Sequence, residues 1–83
     1  MFTVYVLYSA SFNKIYIGYT SNLDDRMLSH NSLSKKGHTL KFRPWSLVYA
    51  EEFAVKADAM RREKELKSAK GRKFIWELIE TST

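Results

Sequence analysis

Two runs of β-branched and aromatic residues, FTVYVLY at 2–8 and IYIGYT at 15–20, stand six residues apart. The intervening Ser9-Ala10-Ser11-Phe12-Asn13-Lys14 supplies turn chemistry. Runs this close pair as a β-hairpin with a loop of about 4–6 residues. Side chains alternate along a strand, so Tyr5 shares a face with Thr3 and Leu7, and Tyr16 shares one with Gly18. Pairing Ser9 near Phe12 places Tyr5 directly opposite Tyr16. A slip of one residue would put them on opposite faces.

The rest of the chain must cover that hairpin. Ser21-Asn22-Leu23-Asp24 has the form of a capping box, with Asp24 in place of the better Glu. It predicts a helix over 23–31 with Leu23, Met27 and Leu28 as its buried stripe. Arg26 and His30 lie one turn apart on a flank of that helix and point the same way. Residues 32–44 read as a basic loop containing Gly37 and the single proline. Residues 45–53 (WSLVYAEEF) read as a third strand, and 55–70 as a helix that Gly71 ends. Phe74, Ile75, Trp76, Leu78 and Ile79 mark a short C-terminal helix. The expected architecture is α+β, a small sheet covered by helices around one core, in one domain over 1–83.

Composition narrows the chemistry. There is no cysteine, which excludes disulfides, Cys-ligated zinc, Fe–S clusters and a thiol nucleophile. The longest apolar run, VYVLY at 4–8, is far too short to span a bilayer. The N-terminus has neither the basic stretch nor the cleavage site of a signal peptide. A cytoplasmic protein without membrane contact is expected. The net charge is +5, and its placement is informative. Residues 35–45 hold Lys35, Lys36, Lys41 and Arg43 with no acid, and residues 56–73 hold eight basic and three acidic side chains. Two basic blocks on so small a domain suit a polyanionic partner.

One side chain breaks the pattern around it. In the helix over 55–70, Val55, Ala59, Met60, Leu66 and Ala69 form the apolar stripe, and Glu63 falls inside it. Either Glu63 reaches solvent at the stripe's edge, or it is aimed into a cleft to hold a divalent cation. Glu65 is the internal control: with Arg61 and Arg62 near it at helical spacing, it reads as a solvated ion-pair residue. Arg26 and His30 could reach one phosphate together, Arg26 as a charge clamp and His30 as donor or proton carrier. Lys35, Lys36, Lys41 and Arg43 are candidate phosphate contacts. Trp45 is either a core residue or a stacking platform for a base.

These residues resemble the GIY-YIG nuclease domain, in its short single-domain, UPF0213-like branch. Tyr16-Ile17-Gly18 is the second half of the motif unchanged, and Val4-Tyr5-Val6 keeps the central tyrosine of the first half. Arg26 matches the family's helix arginine, and His30-Asn31 the His-Asn pair that often follows it. RPWSLVYAEEF at 43–53 resembles the third strand. Ala59-Met60-x-x-Glu63 resembles the segment whose glutamate binds metal. The likeness covers nearly the whole chain. Among its departures, Tyr19 stands where some repair relatives have lysine, the C-terminal Asn or Gln that some members carry near the metal has no assigned match, and no second DNA-binding or zinc-binding domain is expected.

The resemblance implies a three-stranded antiparallel sheet flanked by helices, one Mg²⁺ or Mn²⁺ held by Glu63, and phosphodiester hydrolysis. It implies a structure-directed endo- or exonuclease of repair or recombination, acting on DNA before RNA, with a protein partner that could supply specificity. Tyr5, Tyr16, Arg26, His30 and Glu63 are then the catalytic set, and Gly18 is a structural member of the motif. Arg26 would neutralise charge on the reacting phosphate, while Tyr5, Tyr16 and His30 are each candidates for the general base. A free tyrosine ionises near pH 10, so a tyrosine base needs a downward shift from Arg26 and the metal. The rival reading is a nucleic-acid-binding module of the same fold with little or no turnover.

Overall fold

The computed structural model describes residues 1–28, 31 and 42–81. Strand β1 (Phe2–Ser9) lies at the centre of a three-stranded antiparallel sheet, between β2 (Lys14–Thr20) and β3 (Ser46–Phe53). Among the described residues three helices accompany the sheet in an α+β fold: α1 (Leu23–Leu28), α2 (Lys56–Lys67) and α3 (Ala69–Thr81). The central place of β1 explains its unbroken VYVLY run, because a strand covered on both faces has no water side to alternate toward. Val4, Tyr5, Val6 and Leu7 are all buried.

The hairpin register differs from the expected one by one pairing step. Ser9 pairs with Lys14, so Tyr5 sits opposite Gly18 and Tyr16 opposite Leu7. The four-residue connection closes through Asn13 at φ 53°, a left-handed conformation that asparagine tolerates better than most residues. Because the partner changes by two residues, face parity survives. Tyr5 and Tyr16 still share a face, as diagonal neighbours.

Each face carries its own cluster. Val4, Val6 and Ile17 pack with Ala59 and Leu66 of α2 and with Ile75 and Ile79 of α3. Tyr5, Leu7 and Trp45 form the other cluster, with Tyr16, Leu23, Met27 and Phe42 against it. Burying a side chain the size of Leu66 fully contributes about 1.5–3 kcal/mol. Between Val6 and Leu7 the β1–β3 register shifts by one, leaving Val48 as an extra residue in β3.

Four local expectations are corrected. The α1 cap is Asn22, not Ser21: the Asp25 N–H donates to Asn22 Oδ1 at 3.2 Å, and Asn22 Nδ2 donates to Asp25 Oδ2 at 3.0 Å. Leu28 is exposed, so Leu23 and Met27 alone form the packing stripe of α1. Val55 and Met60 are likewise exposed, and α2 buries only Ala59 and Leu66. Gly71 does not end a helix. The break falls at Ser68, whose Oγ accepts the Gly71 N–H at 3.2 Å while its carbonyl accepts that of Arg72 at 2.9 Å. Ser68 therefore closes α2 and caps α3. Gly71 lies in the first turn of α3, where a Cβ would come within 2.5 Å of Leu66 Cα.

Candidate active site

The face that carries Tyr5 and Tyr16 becomes a site because residue 18 has no side chain. A Cβ there would lie 2.7 Å from Tyr5 Oη, 2.9 Å from Tyr5 Cζ and 3.2 Å from Tyr16 Cε1. The Tyr5 ring thus lies across β2 in the space Gly18 leaves open. Its ring stacks with that of Tyr16, centroids 6.2 Å apart and planes at 29°. The aromatic contacts continue from Tyr16 to Trp45 at 6.3 Å, Trp45 to Phe42 at 6.4 Å, and Phe42 to Phe12 at 5.4 Å. Trp45 is a core residue at 3% exposure, which excludes it as an open stacking platform.

Arg26 comes from α1. The Asn22 cap fixes the start of that helix, and Leu23 and Met27 dock it onto the tyrosine face. This leaves Arg26 on the exposed flank of α1. Glu63 comes from α2, which packs on the opposite cluster through Ala59 and Leu66. The two residues nevertheless meet electrostatically at one phenol. Tyr5 is pushed up to about 12, first by burial, then by Tyr16 beside it; Arg26 pulls it down and Glu63 pushes it further up. The Arg26 effect has the expected direction, but burial outweighs it. Tyr5 is 2% exposed, whereas Tyr16 is half-buried.

Among the described residues, Glu63 could hold a cation only as a single carboxylate. Its side chain is 20% exposed, and Oε1 accepts from Lys67 Nζ at 3.2 Å. Oε2 makes no hydrogen bond among the described residues. Those residues contain no group of three or more His, Asp or Glu side chains that could form an all-protein cage. One carboxylate with water filling the other positions suits Mg²⁺ or Mn²⁺, hard cations that retain several waters. Glu65, two residues along, is 56% exposed and pairs with Arg62 at 3.1 Å.

A cleft of about 220 Å³ adjoins the site, lined by Ile15, Tyr16, Ile17, Lys67 and Arg72. A larger one, about 540 Å³, lies between α2 and α3, and neither tyrosine, Arg26 nor Glu63 lines it. His30, Lys35, Lys36 and Lys41 lie outside the described residues. Arg43 is half-buried and already engaged with neighbouring groups.

Sequence reasoning named Asn31 only within the His30-Asn31 resemblance and gave it no role. Asn31 donates through Nδ2 to the Trp45 carbonyl at 3.0 Å and accepts the Trp45 N–H through Oδ1 at 2.7 Å. This two-point clamp ties Asn31, three residues past the end of α1, to Trp45 at the entry of β3. A side-chain amide that mimics a strand edge leaves no periodic signal.

The family model for the GIY-YIG catalytic domain matches residues 1–75. A UPF0213 protein of Staphylococcus haemolyticus is 45% identical over 56 residues, which cover 68% of this chain and 68% of that protein. A UPF0213 protein of Natronomonas pharaonis is 40% identical over 65 residues, 78% of this chain and 75% of its own. The solution NMR structure of a UPF0213 protein from Bacillus halodurans superposes with a TM-score of 0.55 at 32% identity, covering 94% of this chain and 85% of that one. With the motif tyrosines, the helix arginine and the α2 glutamate on one framework, the chain belongs to the GIY-YIG catalytic domain family, a nuclease superfamily.

Proposed function

We propose that this domain hydrolyses phosphodiester bonds in nucleic acid, DNA before RNA, with one divalent cation held by Glu63. The observation that carries the reading is the stacked pair of Tyr5 and Tyr16 with the Arg26 helix docked on their face; the charges of Arg26 and Glu63 act in opposite directions on the Tyr5 phenol. A phosphodiester hydrolase needs a cation for the non-bridging oxygens, a proton acceptor for water and help for the leaving oxygen. Arg26, exposed on α1, binds the phosphate and neutralises charge that grows in the transition state. Glu63 holds Mg²⁺ or Mn²⁺, which when bound stabilises charge on the leaving oxygen.

Burial separates the two motif tyrosines by role. Tyr5, sealed and held neutral, serves as a positioning hydroxyl that orients its neighbours. Tyr16 borders the open cleft and, as the phenolate, accepts the proton of the attacking water to become the neutral phenol. A role in repair or recombination, and a partner that adds specificity, extend this reading from the family.

The binding-module alternative keeps one supporting observation: Lys67 already offsets the Glu63 charge, so the carboxylate need not repel a bound phosphate. One experiment separates the two. Labelled branched and single-stranded DNA, with RNA counterparts, are incubated with the protein in Mg²⁺, Mn²⁺ or EDTA. Metal-dependent scission is expected, reduced about 10²-fold or more by Tyr16→Phe and about 10²–10³-fold by Arg26→Gln. Binding without scission in either metal would leave the module.

A further inference from the structure

The second basic block has no role in the chemistry above. Among the described residues, Arg61 pairs with Asp58, Arg62 with Glu51 and Glu65, and Lys67 with Glu63. Lys56, Lys64, Lys70, Arg72 and Lys73 have no ion pair among those residues. Arg72 stands out by its place. It shares with Lys67 the 220 Å³ cleft against β2, whose other lining residues are Ile15, Tyr16 and Ile17. Two cations therefore meet in a cleft that no carboxylate lines. Tyr16 links the cleft to the candidate active site.

We propose that this cleft is a subsite for a nucleic-acid backbone phosphate next to the reacting one, and that Lys67 exchanges Glu63 for that phosphate when a divalent cation takes the carboxylate. The exchange rests on the proposed nuclease reading for the cation at Glu63. The Lys67 ammonium lies 3.2 Å from Glu63 Oε1 while its residue lines the cleft, so both partners are within reach of one flexible stem. A cation arriving at Glu63 repels the ammonium, and an anion in the cleft receives it. Arg72 adds a planar fork suited to two phosphate oxygens. Contacts of this kind fix register on the backbone and carry no base preference. Cation and nucleic acid then strengthen each other's binding by the same factor.

The test uses a phosphorothioate-protected single-stranded oligonucleotide, followed by anisotropy across a salt series with and without Mn²⁺, and Mn²⁺ alone by calorimetry. Arg72→Gln should lower the slope of log K against log salt by about 0.7, and Lys67→Gln should do so when Mn²⁺ is present. Lys56→Gln removes the same charge about 16 Å away along α2 and should leave the slope unchanged. Lys67→Gln should bind Mn²⁺ about twofold tighter, the size of one i,i+4 helix pair, and should lose the Mn²⁺ enhancement of oligonucleotide binding. An unchanged slope in Arg72→Gln, an equal drop in Lys56→Gln, or unchanged Mn²⁺ affinity in Lys67→Gln overturns the subsite or its exchange. Glu63→Gln tells the two readings apart. If it binds Mn²⁺ like wild type, the cation assignment fails, whereas loss of Mn²⁺ binding with silent Lys67 and Arg72 variants removes only the subsite.

Discussion

The phenol of Tyr5 occupies the space that a side chain on Gly18 would need, with Oη 2.7 Å from where a Cβ would stand. Two residues paired across the hairpin thus define one cavity between them. Gly18→Ala should displace the Tyr5 ring or push the strands apart, at a cost of about 1–3 kcal/mol, the range of an overpacked core. Urea unfolding measures the cost. A variant as stable as wild type, with the Tyr5 resonances unmoved, would mean that the ring does not depend on the glycine.

The buried phenol also sets an alkaline limit on stability. Tyr5 ionises at about 12 in the fold, against about 10 for a free tyrosine. A raised pKa means that folding favours the neutral form. Stability from this group is complete below about pH 10 and is lost as pH rises from there toward 12, by about 2–3 kcal/mol. Tyr5→Phe keeps the ring and removes the ionisation. Its unfolding free energy should fall less steeply than wild type over pH 10–12, and parallel curves would contradict the assignment.

Capping of α1 gives a paired test. Asn22→Ala removes the side chain that accepts the Asp25 N–H and should cost about 1 kcal/mol. Ser21→Ala should cost almost nothing, although Ser21 is the residue a capping box on sequence alone selects. Thermal melts of both variants check the order, and the reverse order would restore the Ser21 cap.

That slip of one residue shows which features were readable. Strand identity and face were legible because alternation survives small errors: the hairpin register moved by two residues, yet Tyr5 and Tyr16 kept a common face. Glu63 was legible as an interruption of an apolar stripe, and it does lie between the buried Ala59 and Leu66. The stripe itself was drawn too wide, since α2 is narrow where it meets the sheet and leaves Met60 in water. The division between α2 and α3 was not legible. Gly71 has the form of a helix stop, but its role is to admit the backbone of Leu66, a tertiary constraint absent from local spacing. The rise of the Tyr5 pKa was hidden for a similar reason. Charges near a phenol can be guessed from sequence, but the extent of its burial depends on packing.

Gly71→Ala tests that crossing directly. A Cβ would meet the Glu65 carbonyl and the Leu66 backbone, neither of which can rotate away as a side-chain tip can. The substitution should therefore destabilise by at least the 1–3 kcal/mol of overpacking, even though alanine is the better helix former by about 1 kcal/mol. Chemical denaturation decides it, because a stabilised variant would show that the helices do not approach as described.

Glu63 is the proposed cation ligand, and Glu65 two residues away supplies the control. Two steps along an α-helix rotate a side chain by about 200°, so the two carboxylates cannot serve one site. Glu63 is 20% exposed and acts on Tyr5, while Glu65 is 56% exposed and pairs with Arg62. The decisive measurement is the rate of Mn²⁺-dependent DNA cleavage by Glu63→Gln and Glu65→Gln beside wild type. Glu63→Gln should abolish cleavage while still binding DNA, and Glu65→Gln should cleave at the wild-type rate. Cleavage by Glu63→Gln at the wild-type rate, or its loss in Glu65→Gln alone, would contradict the assignment of the site.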